Sequence, residues 1–147
     1  MQCVWANKGR TKPMTNKDAK EGRTTGYPMY FSRQGNPLHW DEWAKDFTED
    51  NRMVKRTYLT FVSPTKTSRF DVTGTFPRGP ETFDYCVSTV WLGLNHARSG
   101  CDPLIFETMI YNNKNQFLDF QTRYSTEEQA MAGHEAAIQM FFNKEMP

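Results

Sequence analysis

Two apolar runs, residues 85–94 and 104–111, most constrain what this chain can fold into. Both are rich in β-branched and aromatic residues and neither alternates cleanly with polar ones. They therefore read as strands covered on both faces, central in a sheet. The connection "NHARSGCDP" is too short and too rich in turn formers for a crossover helix, so the two strands are expected to be antiparallel neighbours. The same test extends the sheet in both directions. "VKRTYLTFV" has strand composition, and in "SRFDVTGTF" Phe70, Val72, Gly74 and Phe76 alternate with Arg69, Asp71, Thr73 and Thr75, which predicts one face in the core and one in water. "QFLDFQTRY" reads as a further strand, and Met29 to Phe31 as a short one before the turn "RQGNP".

Two segments change to helical period. Trp40, Trp43, Ala44 and Phe47 fall at i, i+3, i+4 and i+7, and Asp41 and Glu42 in the first turn suit the positive end of the helix dipole. This helix is expected to pack through its tryptophans. Near the C-terminus Ser125 and Glu128 have the spacing of a capping box, and Ala130, Met131, His134, Ala137, Ile138 and Phe141 form one stripe. That helix should lie across the sheet. The expected fold is α+β: an antiparallel meander of four to five strands with two packed helices, spanning residues 27–147 as one domain. Residues 1–26 are polar, follow neither period, and read as an extended basic arm carrying Lys8, Arg10, Lys12, Lys17, Lys20 and Arg23.

Composition then narrows the function. Net charge is +1, from 18 basic and 17 acidic residues, so nucleic acid is a candidate partner only through the arm. Aromatic content of 14% against 37% hydrophobic residues predicts a small, ring-rich core. Three cysteines without close spacing argue against a disulfide framework, and no apolar run approaches the roughly 20 residues of a membrane span. No signal-peptide pattern begins the chain, so a cytoplasmic location is expected.

No motif specifies a reaction. The three histidines and three cysteines show no metal-ligand spacing, and no metal or cofactor is expected. The least implausible enzyme would use His96, Glu107 and His134 as acid–base groups, if the fold brought them together. The structural alternatives weigh more: a core histidine at 134, a carboxylate at 107 paired with Arg123 or a lysine across strands, and turn formation by Asn95 and His96. The candidate binding set is Trp91, Asn95, His96, Glu107, Arg123, Tyr124 and His134. A small-molecule pocket would draw on Trp91, His96 and Tyr124.

"VSTVWLGLNH", "PLIFETMIY" and "RYSTEEQAMAGHEAAI" resemble a group of short uncharacterised proteins of tailed bacteriophages. The group has, in order, a Tyr-Phe strand, a Gly-Asn-Pro turn, a Glu-Trp helix, a Val-Ser-Thr-Val-Trp-Leu-Gly strand ending in Asp-His, a Phe-Glu-Thr strand and a helix with Gly-His-Glu. Here these are Tyr30 and Phe31, Gly35 to Pro37, Glu42 and Trp43, Val87 to Gly93, Phe106 to Thr108, and Tyr124 to Glu135. Asn95 stands where the group carries an acidic residue, and the basic arm has no counterpart. The resemblance implies a phage accessory protein that binds a host protein or complex in the host cytoplasm, in the manner of a defence inhibitor. Alternatives are a protein that sequesters a small nucleotide signal, and a virion structural protein.

Overall fold

A computed structural model describes residues 29–73, 79–98 and 100–143. The basic arm with its six cations lies outside them, as do Gly74, Thr75 and Phe76 of the alternating segment. Two short paired strands, β1 (Tyr30–Phe31) and β2 (Pro37–Leu38), come first, turned at Gly35. Helices α1 (Trp40–Asp46) and α2 (Glu49–Arg52) follow. The main sheet comprises β3 (Met53–Ser63), β4 (Lys66–Val72), β5 (Tyr85–Trp91), β6 (Phe106–Asn112) and β7 (Phe117–Tyr124), and α3 (Glu127–Phe142) ends the described chain.

All pairs in the main sheet are antiparallel, in the order β4-β3-β5-β6-β7. The α+β meander with packed helices is thus observed, with one exchange: β5 adds beside β3, leaving β4 at the edge. No helix among the described residues is long and apolar enough to cross a membrane.

Helix α3 lies across β3, β5, β6 and β7. Its stripe is buried as expected at Ala130, His134, Ala137, Ile138 and Phe141, with Met131 half-buried. Capping falls one residue later than expected. The Thr126 hydroxyl accepts from the Gln129 amide, and Gln129 reaches back to the Thr126 amide. Under α3 the core forms two clusters. One joins Phe31, Val54, Trp91, Ile105, Phe106 and Ala130, and the other joins Leu59, Val87, Ile110, Ala137, Ile138 and Phe141. Each large side chain buried here contributes about 1.5–3 kcal/mol relative to exposure. Gly133 fits the first cluster tightly, because a Cβ there would collide with the Tyr124 ring.

Two expectations are corrected. Helix α1 packs through Trp43 and Phe47, whose rings stack at 4.5 Å, while Trp40 is 59% exposed and Ala44 is also in solvent. A helix of seven residues presents only one short edge to the core. On β4 the alternation holds at Val72, which is buried, and Asp71, which is exposed, but Phe70 is 42% exposed, and Arg69 and Asp71 lie on the α3 side of the sheet. Edge position allows this, since Lys55 and Glu135 from neighbouring elements neutralise the inward charges.

Candidate functional site

Strand parity divides the candidate residues between the two faces of the sheet. Thr57, Thr89, Trp91 and Thr108 point toward α3; Arg56, Tyr58, Ser88, Glu107 and Arg123 point away from it. His134 on α3 and Glu107 on β6 are therefore separated by the sheet. The acid–base set of His96, Glu107 and His134 does not converge.

His134 is fully buried, and both ring nitrogens are hydrogen-bonded: Nε2 to Thr57 Oγ1 at 2.9 Å and Nδ1 to Thr89 Oγ1 at 2.7 Å. Its tautomer follows from what the threonines must do. The Thr57 hydroxyl donates to Asp71 at 2.6 Å, so it can only accept from the ring, which places the proton on Nε2. Nδ1 then accepts from Thr89, whose oxygen accepts in turn from Thr108 at 2.6 Å. One directed chain runs Thr108, Thr89, His134, Thr57, Asp71, and it requires a neutral imidazole. Burial pushes the His134 pKa down to about 4, helped by Lys55 and Arg69 against Glu135 and Asp71. Outside the chain, Glu135 is held at about 2 by Arg69 and Lys55.

Trp91 and Tyr124 belong to the core cluster under α3, with Trp91 1% exposed, whereas His96 lies beside Arg123 and Glu107. Among the described residues the buried indole nitrogen of Trp91 has no hydrogen-bond partner. Asn95 is a loop organiser: its Oδ1 accepts from the amides of Ala97 at 2.8 Å and Leu104 at 3.3 Å. The expected turn role of Asn95 is thereby observed. Gly93, beside it, has φ +65° and lies against the Trp43 and Trp91 rings, so a side chain there would be both strained and obstructed.

Glu107, Arg123 and His96 gather on the other face. Glu107 is 7% exposed and accepts from Gln121 at 2.6 Å and from Arg123 at 2.8 Å, the cross-strand pair expected from sequence. Burial and the Arg123 guanidinium hold the His96 pKa below its ordinary value, against the pull of Glu107. Of these, Glu107 lines a concavity of about 360 Å³ on the central strands, where the sequence predicts a second apolar cover. Its walls include Arg52, Arg56, Tyr58, Phe83, Met109 and Tyr111. Arg52 and Arg56 were not expected here. The signal for Arg56 was its parity with Tyr58 on β3, which a register between β3 and β5 would have aligned with Cys86 and Ser88.

A second surface lies on the α3 side, between the β3–β4 hairpin and the end of α3. Phe61 and Phe142 are 49% and 46% exposed, and with Tyr85 and Phe141 they line a groove of about 690 Å³. The rings form a run: Phe61 to Tyr85 at 5.8 Å and Tyr85 to Phe141 at 4.8 Å between centroids. Ser63, Thr65 and Thr67 also line it, and among the described residues no charged side chain does. Among the described residues no cluster of three His, Cys, Asp or Glu side chains could hold a metal ion. No protein-family model matches the chain, and comparison with curated proteins and with solved structures finds no significant match.

Proposed function

We propose that this is a phage accessory protein that binds a host protein and interferes with its activity, docking it in the aromatic groove at the end of α3. The observation that carries this reading is the exposure of Phe61 and Phe142 along one uncharged groove. Single exposed apolar residues are ordinary, but aromatic side chains bordering one groove mark an interaction surface. Among the described residues the groove offers no cation to a phosphate backbone, and its hydroxyls and rings suit an apolar segment of a protein. Phage origin comes from the resemblance of the segments Val87 to Gly93, Phe106 to Thr108 and Tyr124 to Glu135, and the host cytoplasm is where such a protein would act.

The test is affinity capture of the tagged full-length chain from cells of the bacterial host, with mass spectrometry of what remains bound and of purified phage particles. Expected is a stoichiometric host protein retained by the unmodified chain and by Lys114→Ala, but lost with Phe142→Ser at unchanged melting temperature. Equal capture by Phe142→Ser would remove the groove from the account. A fixed copy number in purified particles would replace the accessory role with a structural one.

A further inference from the structure

The concave face of the sheet holds charge that the fold leaves unused. Arg52 and Arg56 both line the concavity, and among the described residues neither makes an ion pair. Arg52 is held in place by stacking over the Phe47 ring at 4.6 Å, and its Nε is buried without a hydrogen-bond partner. Arg56 is fixed by its strand, opposite Ser88 on one side and Val72 on the other. Glu107 is also only half engaged. Gln121 and Arg123 both donate to Oε2, and among the described residues none donates to Oε1. Between these groups stand the rings of Tyr58, Phe83 and Tyr111, with Tyr58 and Phe83 edge to face at 5.0 Å.

Two unpaired guanidiniums on a partly desolvated wall call for an anion with several acceptor oxygens, which phosphate supplies better than a single carboxylate. The Glu107 carboxylate, which also lines this space, offers an acceptor to a hydrogen-bond donor, and aromatic walls call for a planar ring. Two carboxylates also line the concavity: Arg123 neutralises Glu107 at 2.8 Å, and Glu49 offsets one of the two guanidiniums, leaving a net positive charge for the anion. The volume of about 360 Å³ is at the lower end of the usual range for small-molecule sites, enough for a single mononucleotide-sized ligand. The phenol of Tyr111 reports the same field: burial and Glu107 raise its pKa, against Arg56 and Arg52.

We propose that this concavity binds a small ring-bearing organic anion of the nucleoside monophosphate class. Arg52 and Arg56 hold the phosphate, Tyr58, Phe83 and Tyr111 flank the base, and Glu107 Oε1 accepts from a base N–H. The site lies on the opposite face of the sheet from the aromatic groove and does not depend on the protein partner proposed for it.

The test is calorimetric titration of the full-length protein with AMP, GMP, CMP and UMP, with adenosine and inorganic phosphate as fragments. Expected is saturable binding of at least one monophosphate and none of adenosine alone. Arg52→Gln and Arg56→Gln should each weaken it roughly tenfold or more, and Glu107→Gln should change the order of preference among the bases. Absence of binding by all four monophosphates overturns the inference, as does undiminished binding in both arginine variants. Should either variant fail to fold, amide shifts in the unmodified protein decide. Shifts centred on Ser88, Glu107 and Tyr111 support the site, and shifts confined to other residues overturn it.

Discussion

Lowering the pH should unfold this protein partly through one side chain. His134 is fully buried and neutral, with Nδ1 accepting from Thr89 and Nε2 donating to Thr57. Protonation puts a second N–H on the ring, forcing the Thr89 hydroxyl to turn round, and places a charge near Lys55 and Arg69, offset in part by Asp71 and Glu135. The pKa falls from an ordinary 6.5 to about 4, a difference of about 2.5, and at about 1.4 kcal/mol per unit the linked stability is about 3 kcal/mol. A folded-state pKa below the unfolded value means that this stability is complete above about pH 6.5 and is lost as pH falls toward 4. The assay is urea unfolding at a series of pH values for the wild type and for His134→Gln, whose amide cannot titrate. Carboxylates also titrate near the lower end of this range, and taking the difference between the two proteins removes most of their contribution. The wild type should lose about 3 kcal/mol more than the variant over this window. Parallel curves, or an imidazole titrating near 6.5 by NMR in the folded protein, would refute the reasoning.

Other consequences concern packing and reactivity. Gly133→Ala should destabilise by about 1–3 kcal/mol in denaturant melts, because its Cβ meets the Tyr124 ring; Gly133→Ala combined with Tyr124→Leu should recover part of the loss. Trp91→Phe should cost only about 1–2 kcal/mol in the same melts, since the buried indole nitrogen has no hydrogen bond to lose; a cost above about 4 kcal/mol would mean that it has a partner. Cys86 is buried and its thiol is pushed up to about 12, so at pH 8 it should resist alkylation in the folded protein and react once urea unfolds it, as peptide mass mapping would show.

The sheet was legible because strand composition and turn chemistry agree along β3, β5, β6 and β7, and α3 because its stripe keeps helical period through Phe141. What sequence left open is which way each face points. Alternation along β4 separates Phe70 and Val72 from Arg69 and Asp71, but only the partners Lys55 and Glu135, on other elements, determine that the charged set faces α3. The capping box slipped for a similar reason: Ser125 with Glu128 and Thr126 with Gln129 both fit the spacing, and the backbone selects the second pair. Of the candidate residues, Glu107 with Arg123 and the turn role of Asn95 could be read from strand pairing and loop chemistry. The concave face could not, because Arg52 ends a four-residue helix and the side on which Arg56 lies depends on the register of β3 with β5. Phe61 and Phe142 had the composition of core residues and are exposed only because the hairpin and the end of α3 stop short of covering them.

The central claim, that a host protein docks in the aromatic groove, is tested most directly by photo-crosslinking in host cells. A photoreactive phenylalanine analogue would replace Phe142 in one sample and Phe117, which is 43% exposed and does not line the groove, in another. Docking in the groove should give one dominant host-protein adduct from position 142 that is absent from position 117. The same adducts from both positions, or adducts only between copies of this chain, would contradict it.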